Sequence, residues 1–227
     1  DAGLIKAGLL DGVLAALAKA GVTATVFSEV LADPPETSVQ AAVEAARNVA
    51  ADGVIGFGGG SSLDTAKLVA LLACTAQALP DIYGIGLARG PRLPLIQVPT
   101  TAGTGSEVTP ISILTTPTHE KKGVVSPLLY PDVALLDSLL TLGLPPAVTA
   151  MTGVDAMVHA IEAFTSRHKK NPLSDALAIK ALQLLYANLP AAVGDGKDPV
   201  VREAMLQGSL FAGMAFANAP VAAVHAL

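Results

Sequence analysis

There is no tryptophan in this sequence, only one cysteine among 227 residues, and charged side chains make up just 15% of it. A lone cysteine, Cys74, excludes an internal disulfide framework and fits a reducing compartment, so a cytoplasmic protein is expected. Its apolar, helix-like surroundings predict an inert core thiol. Aromatics are 4% of the chain and the net charge is -5. Nucleic-acid surfaces need stacking rings and basic patches, so no nucleic-acid partner is expected. The one basic cluster, Arg167-His168-Lys169-Lys170, reads as a solvated helix end. Mean hydropathy is high, at +0.56. Even so, no run of about 18 apolar residues escapes a charge or a proline, and no membrane-spanning helix is expected. What is plentiful is apolar side chain: 52% of the residues, enough for a sizeable core. The start at Asp1 without Met and the apolar run into Leu227 lead to the expectation of a chain truncated at both ends.

The first half alternates between helix-like and strand-like segments. Helices are expected over residues 9–20, with Gly21 as the stop, over 37–51 behind a Thr37 or Ser38 cap, and over 63–79. Short strands are expected at residues 23–27, 53–57, 95–98, 111–115, 123–126 and 133–137. That order predicts an α/β layer with a largely parallel sheet. After Pro145-Pro146 the strand signals vanish, and residues 148–166, 174–189 and 200–217 read as helices. The expected division is residues 1–144 as an α/β domain and residues 145–227 as a helical one.

Two stretches carry chemistry. Gly56-Phe57-Gly58-Gly59-Gly60-Ser61 comes close to G-x-G-x-x-G and opens the third expected helix. A backbone without Cβ lets N–H groups approach a pyrophosphate, and the helix N-terminus favours the same anion. A tight strand-to-helix turn with no ligand fits equally. Asp64 and Lys67 follow one turn on; they either pair with each other or leave Lys67 available to the phosphate. Pro99-Thr100-Thr101-Ala102-Gly103-Thr104-Gly105-Ser106 again places small and hydroxyl residues after a strand, where α/β sheets bind ligands. In the second half Asp155 and His159 stand four apart on one helix face, the one-turn spacing of chelating pairs. An i,i+4 hydrogen bond is the commoner meaning of that spacing. His225, also in apolar company, would make a third ligand. His119 and His168 read as solvated, and Glu162 as a helix-surface or outer carboxylate.

Three motifs in order, Gly58-Gly59-Gly60-Ser61-x-x-Asp64-x-x-Lys67, then Pro99 to Thr109, then Gly153-Val154-Asp155-Ala156-x-x-His159-Ala160-Ile161-Glu162-Ala163, resemble the iron-containing (group III) alcohol dehydrogenases. The resemblance implies a Rossmann-like nucleotide-binding domain followed by an all-α metal domain, of dehydroquinate synthase-like architecture, with the active site in the cleft. It implies metal-assisted hydride exchange between a small alcohol, or its aldehyde or ketone, and NAD(P). Carried over by position, Gly59, Gly60 and Ser61 face the pyrophosphate, with Asp64 on the same helix. Thr100, Thr101, Thr104 and Lys121 lie near the cofactor, and Asp33 near its adenine end. Asp1 matches the acid near the adenosine ribose, which favours NAD over NADP. Asp155, His159 and His225 match three ligands of an Fe²⁺ or Zn²⁺ ion, and the family's fourth, a later histidine, falls beyond Leu227. A homo-oligomer is implied as well. The alternatives are a maleylacetate reductase-like enzyme, or a nucleotide-binding fragment without turnover.

Overall fold

The computed structural model describes residues 1–219. It divides into two compact units. Unit 1 holds residues 1–96 and 111–132, and unit 2 holds residues 97–110 and 133 onward.

Unit 1 begins with α1 (Ala2–Lys6) and α2 (Asp11–Lys19), after which Gly21 turns the chain at φ +76°. Residues 23–27, expected as a strand, form none and are mostly exposed. β-branched residues supply propensity, but a strand also needs a partner ladder, and none is present there. Helix α3 (Glu36–Asn48) starts at Pro35 rather than on a Thr37 or Ser38 cap, because the Ser38 hydroxyl donates instead to the Glu29 carbonyl at 2.9 Å. One face of the helix is apolar: Val39, Ala42 and Val43 are buried, with Ala46 packed beside them.

Strand β1 (Val54–Gly58) leads directly into α4 (Gly60–Leu72), a helix buried on nearly all sides. It stops at Leu72, short of the expected residue 79. The Arg47 guanidinium takes the Leu72 carbonyl at 2.7 Å and that of Thr75 at 3.0 Å, satisfying acceptors a continuing helix would use. Cys74 therefore sits past the helix end and is exposed, not an inert core thiol; its sulfur lies 3.2 Å from the Pro91 carbonyl.

Strands β2 (Gly84–Ile85), β4 (Ile111–Thr115) and β5 (Lys121–Val125) form one sheet, order β2-β5-β4, with β2 parallel and β4 antiparallel to β5. On β4 the inner face carries Ser112 and Leu114, and Ile113 points outward. The core of unit 1 lies between this sheet, α3 and α4, with Leu68, Leu71, Ile82, Leu114 and Val124 essentially inaccessible.

Strand β3 (Leu95–Pro99) crosses the unit boundary. In unit 1, Val54 beside it donates to the Pro94 carbonyl at 2.8 Å; in unit 2, Leu135, which follows β6 (Val133–Ala134), donates to the Gln97 carbonyl at 2.9 Å. The sheet order is β1-β3-β6. The start of β3 is fixed by Asp132, whose Oδ2 accepts from the Leu95 N–H at 2.8 Å while both its oxygens receive Arg92.

Unit 2 is completed by three helices packed on one another, α5 (Pro146–Thr165), α6 (Pro172–Gly194) and α7 (Pro199–Asn218). Each starts with proline at its first position, and Asn171 and Asp198 cap α6 and α7. A stripe of small residues, Gly153, Ala156, Ala160 and Ala163, is buried on α5 together with Thr149, His159 and Glu162. Arg202 of α7 is buried and, among the described residues, donates to neutral acceptors. It reaches the Gly196 carbonyl at 2.7 Å and the Thr149 hydroxyl at 2.8 Å, tying the α6–α7 turn to the start of α5. Burial lowers its pKa. By length and composition α6, 23 residues with a hydropathy of 1.4, is long and apolar enough to cross a bilayer, but it contains Asp175, Lys180 and Pro190 and packs against α5 and α7.

Candidate nucleotide and metal sites

In unit 1 the glycine stretch is a strand-to-helix turn. Gly58 ends β1 at φ +146°, where a Cβ would sit 2.7 Å from the Ser62 hydroxyl oxygen. Gly59 is the N-cap of α4 with no side-chain cap bond, and Gly60 is the first helical residue. The helix thus begins on bare backbone, the arrangement that suits a phosphate. Ser61 is half-buried at that first turn, and Ser62 is buried.

Asp64 and Lys67 are engaged with the sheet. Lys67 is fully buried, and its Nζ donates to the Ile111 carbonyl at 2.7 Å and stands 3.5 Å from Asp64 Oδ1. Asp64 Oδ2 accepts from the Ile113 N–H at 2.9 Å, and the Ser112 hydroxyl donates to the Asp64 carbonyl at 3.0 Å. Three hydrogen bonds therefore stitch α4 to β4, and the reading of Lys67 as available to a phosphate is corrected by its burial. Sequence spacing showed the i,i+3 pair; it contained no signal for a strand landing on it.

Asp33 and Lys121 meet in an exposed ion pair at 2.8 Å, with Asp33 at φ 47°. Asp1 caps α1: its Oδ1 accepts from the N–H groups of Gly3 at 2.8 Å and Leu4 at 3.2 Å.

In unit 2, Thr100 is buried and Thr101 and Thr104 are half-buried; the Ser106 N–H donates to the Thr104 hydroxyl oxygen at 3.3 Å. On α5, Asp155 Oδ2 lies 3.8 Å from His159 Nδ1, with the aspartate side chain 38% exposed and the histidine 9%. Ligand atoms about 2.0–2.2 Å from a shared ion stand up to roughly 4 Å apart, so this pair admits one divalent ion. Phe216 of α7 stacks on the His159 ring, centroids 4.5 Å apart and planes 25° from parallel. Nothing in the sequence pattern singles out Phe216; a phenylalanine in an apolar helix looks like any core residue. Glu162 is buried, with 3% exposure, not on the helix surface. His119 and His168 are exposed, as expected. Among the described residues no three His, Cys, Asp or Glu side chains gather as a metal site, and His225 lies outside the described residues.

The iron-containing alcohol dehydrogenase family matches residues 1–138, and the C-terminal part of the Fe-containing alcohol dehydrogenase family matches residues 149–227. The chain belongs to this family. It is 43% identical to the sulfoacetaldehyde reductase of Bilophila wadsworthia and 45% identical to long-chain-alcohol dehydrogenase 1 of Geobacillus thermodenitrificans. The alignments take in 100% of this chain and 59% and 58% of those proteins. Among solved structures, a 1,3-propanediol oxidoreductase superposes with a TM-score of 0.96 at 40% identity, over 100% of this chain and 59% of that one. The sulfoacetaldehyde reductase of Bifidobacterium kashiwanohense, solved with NAD⁺, gives 0.91 at 36% identity, over 98% of this chain and 59% of that one. The chain spans under two thirds of the length of these relatives. These neighbours also share its fold class, an α/β part followed by an α-helical part.

Proposed function

We propose that the full-length protein interconverts an alcohol and its aldehyde or ketone by metal-assisted hydride transfer to or from NAD, with NADP disfavoured. The observation that carries this reading is the Asp155–His159 pair, one turn apart on α5 within the stretch that matches the family's C-terminal part. In this proposal nucleotide binding falls to residues 1–144 and metal binding to residues 145–227, although residues 97–110 pack within unit 2.

Gly59, Gly60 and Ser61 would hold the pyrophosphate through the first N–H groups of α4. Asp33 and Lys121 would lie toward the adenosine half, and Thr100, Thr101 and Thr104 would line the cofactor. Asp1 would accept from the ribose 2′-hydroxyl through Oδ2, which takes no part in the cap of α1, and would repel a 2′-phosphate. Asp155 and His159, with His225 from the sequence, would hold Fe²⁺ or Zn²⁺. A divalent ion there supplies Lewis acidity toward the substrate oxygen, and the nicotinamide supplies the hydride chemistry. The chain's own part is to fix both in place and to keep His159 in apolar surroundings. A cytoplasmic homo-oligomer belongs to the same proposal.

The test is metal analysis of the full-length protein together with a panel of small alcohols followed by NADH absorbance. Alcohol-dependent NADH formation, lost along with bound metal in Asp155→Ala and His159→Ala, supports the reading. Metal content unchanged by both substitutions sinks it.

A further inference from the structure

We infer that Gly103, Gly105 and Gly213 are positioning residues: they seat the hydroxyl loop Thr100–Thr104 on the two helices that carry Asp155, His159 and Phe216. Gly105 adopts φ +61°, and a Cβ on it would lie 2.7 Å from the Gly213 Cα and 3.2 Å from the Ser209 carbonyl oxygen. The contact is reciprocal: a Cβ on Gly213 would lie 2.9 Å from both the Cα and the carbonyl oxygen of Gly105. On the other side of the loop a Cβ on Gly103 would lie 2.7 Å from the Thr152 Cβ and 3.1 Å from its Cα. All of these residues belong to unit 2, and the three glycines are buried.

The places of contact matter. Thr152 precedes Asp155 by three residues on α5, and Gly213 precedes Phe216 by three on α7, where Phe216 stacks on His159. The loop therefore rests on each helix about one turn before the residues that form or support the acid–histidine pair. Gly105 and Gly213 meet backbone to backbone, and Gly103 meets the Cα and Cβ of Thr152, so no long side chain can bend to absorb an added methyl, and at Gly105 the positive φ also disfavours any other residue. An added methyl must move the loop, and its three threonines with it, relative to α5 and α7. Hydride transfer responds steeply to such shifts, since a misplacement of about 1 Å can cost roughly a hundredfold in rate. The kinetic consequence rests on the function proposed above; the seat itself does not.

The experiment uses the full-length, metal-loaded protein with three variants: Gly213→Ala, Gly103→Ala, and Gly103→Ala combined with Thr152→Gly. In Gly213→Ala, kcat should fall about tenfold or more while bound metal and KM for NAD stay within about twofold. Hydrogen exchange of the amides of residues 100–109 should speed up, while that of α4 stays as it was. The exchange measurement needs no turnover, so a wild-type protein that makes no NADH from any alcohol defeats the functional reading and leaves the seat to be judged by exchange alone. If Gly213→Ala does not fold, the other pair decides. Recovery of protection over residues 100–109 when Thr152→Gly accompanies Gly103→Ala supports the seat, and absence of recovery overturns it. Unchanged exchange over residues 100–109 in a folded Gly213→Ala protein also overturns it, as does activity lost only through metal or through KM for NAD.

Discussion

Phe216 of α7 lies face to face with His159 of α5, their ring centroids 4.5 Å apart, so the imidazole proposed above as a metal ligand is held by a ring from another helix. Phe216 is 8% exposed. Phe216→Ala should open a cavity and destabilise the protein by about 3–5 kcal/mol, measured by denaturant unfolding. Residues that orient a metal-binding histidine contribute about 10–100-fold in affinity. Zinc titration should therefore show weaker binding in Phe216→Ala and near-normal binding in Phe216→Leu. Equal affinity in all three proteins would show that the ring plays no part in orienting the histidine.

Asp132 links stability to pH. The Arg92 hydrogen bonds, followed by the Leu95 N–H, lower its pKa from 3.8 to about 2. A carboxylate whose folded pKa is depressed contributes stability above its unfolded value, and that contribution is lost as pH falls through the folded value. The window is therefore about pH 4 down to about pH 2. With the aspartate side chain 52% exposed, solvent screens part of the effect. Asp132→Asn should lower the unfolding midpoint at pH 7, and the gap to the wild-type protein should narrow across that window. A gap that stays constant down to pH 2 would contradict the linkage.

Lys67 is enclosed, and its ammonium holds the first residue of β4 to α4. Lys67→Met keeps the volume but leaves the Ile111 carbonyl without that donor and Asp64 without its nearby cation. A hydrogen bond from a charged group contributes about 1.5–3 kcal/mol, and a loss of that size is expected in denaturant melts. Hydrogen exchange should localise the loosening to residues 111–115.

The Asp33–Lys121 pair should behave in the opposite way. Both side chains are more than 60% exposed, at 70% and 64%. Asp33→Ala should change stability by less than about 1 kcal/mol. Its effect on the Kd for NAD, read by NADH fluorescence, then reports on the nucleotide role of this position without interference from folding.

Much of this protein was legible in its sequence. The helix expected over residues 37–51 is α3, and the helices expected from residues 148, 174 and 200, where strand signals vanish, begin as α5, α6 and α7 within two residues of those positions. The glycine turn before α4 and the one-turn interval from Asp155 to His159 could be read because both are local, set by a missing Cβ and by helical pitch. Contacts between distant segments could not be read this way. The end of α4 depends on Arg47 reaching it from α3, the engagement of Lys67 on β4 arriving 44 residues later, and the orientation of His159 on a phenylalanine 57 positions away. Local chemistry fixes which elements form and what their residues are able to bind. Only the packing of remote segments decides which of those side chains are spent on holding the fold and which remain for a ligand.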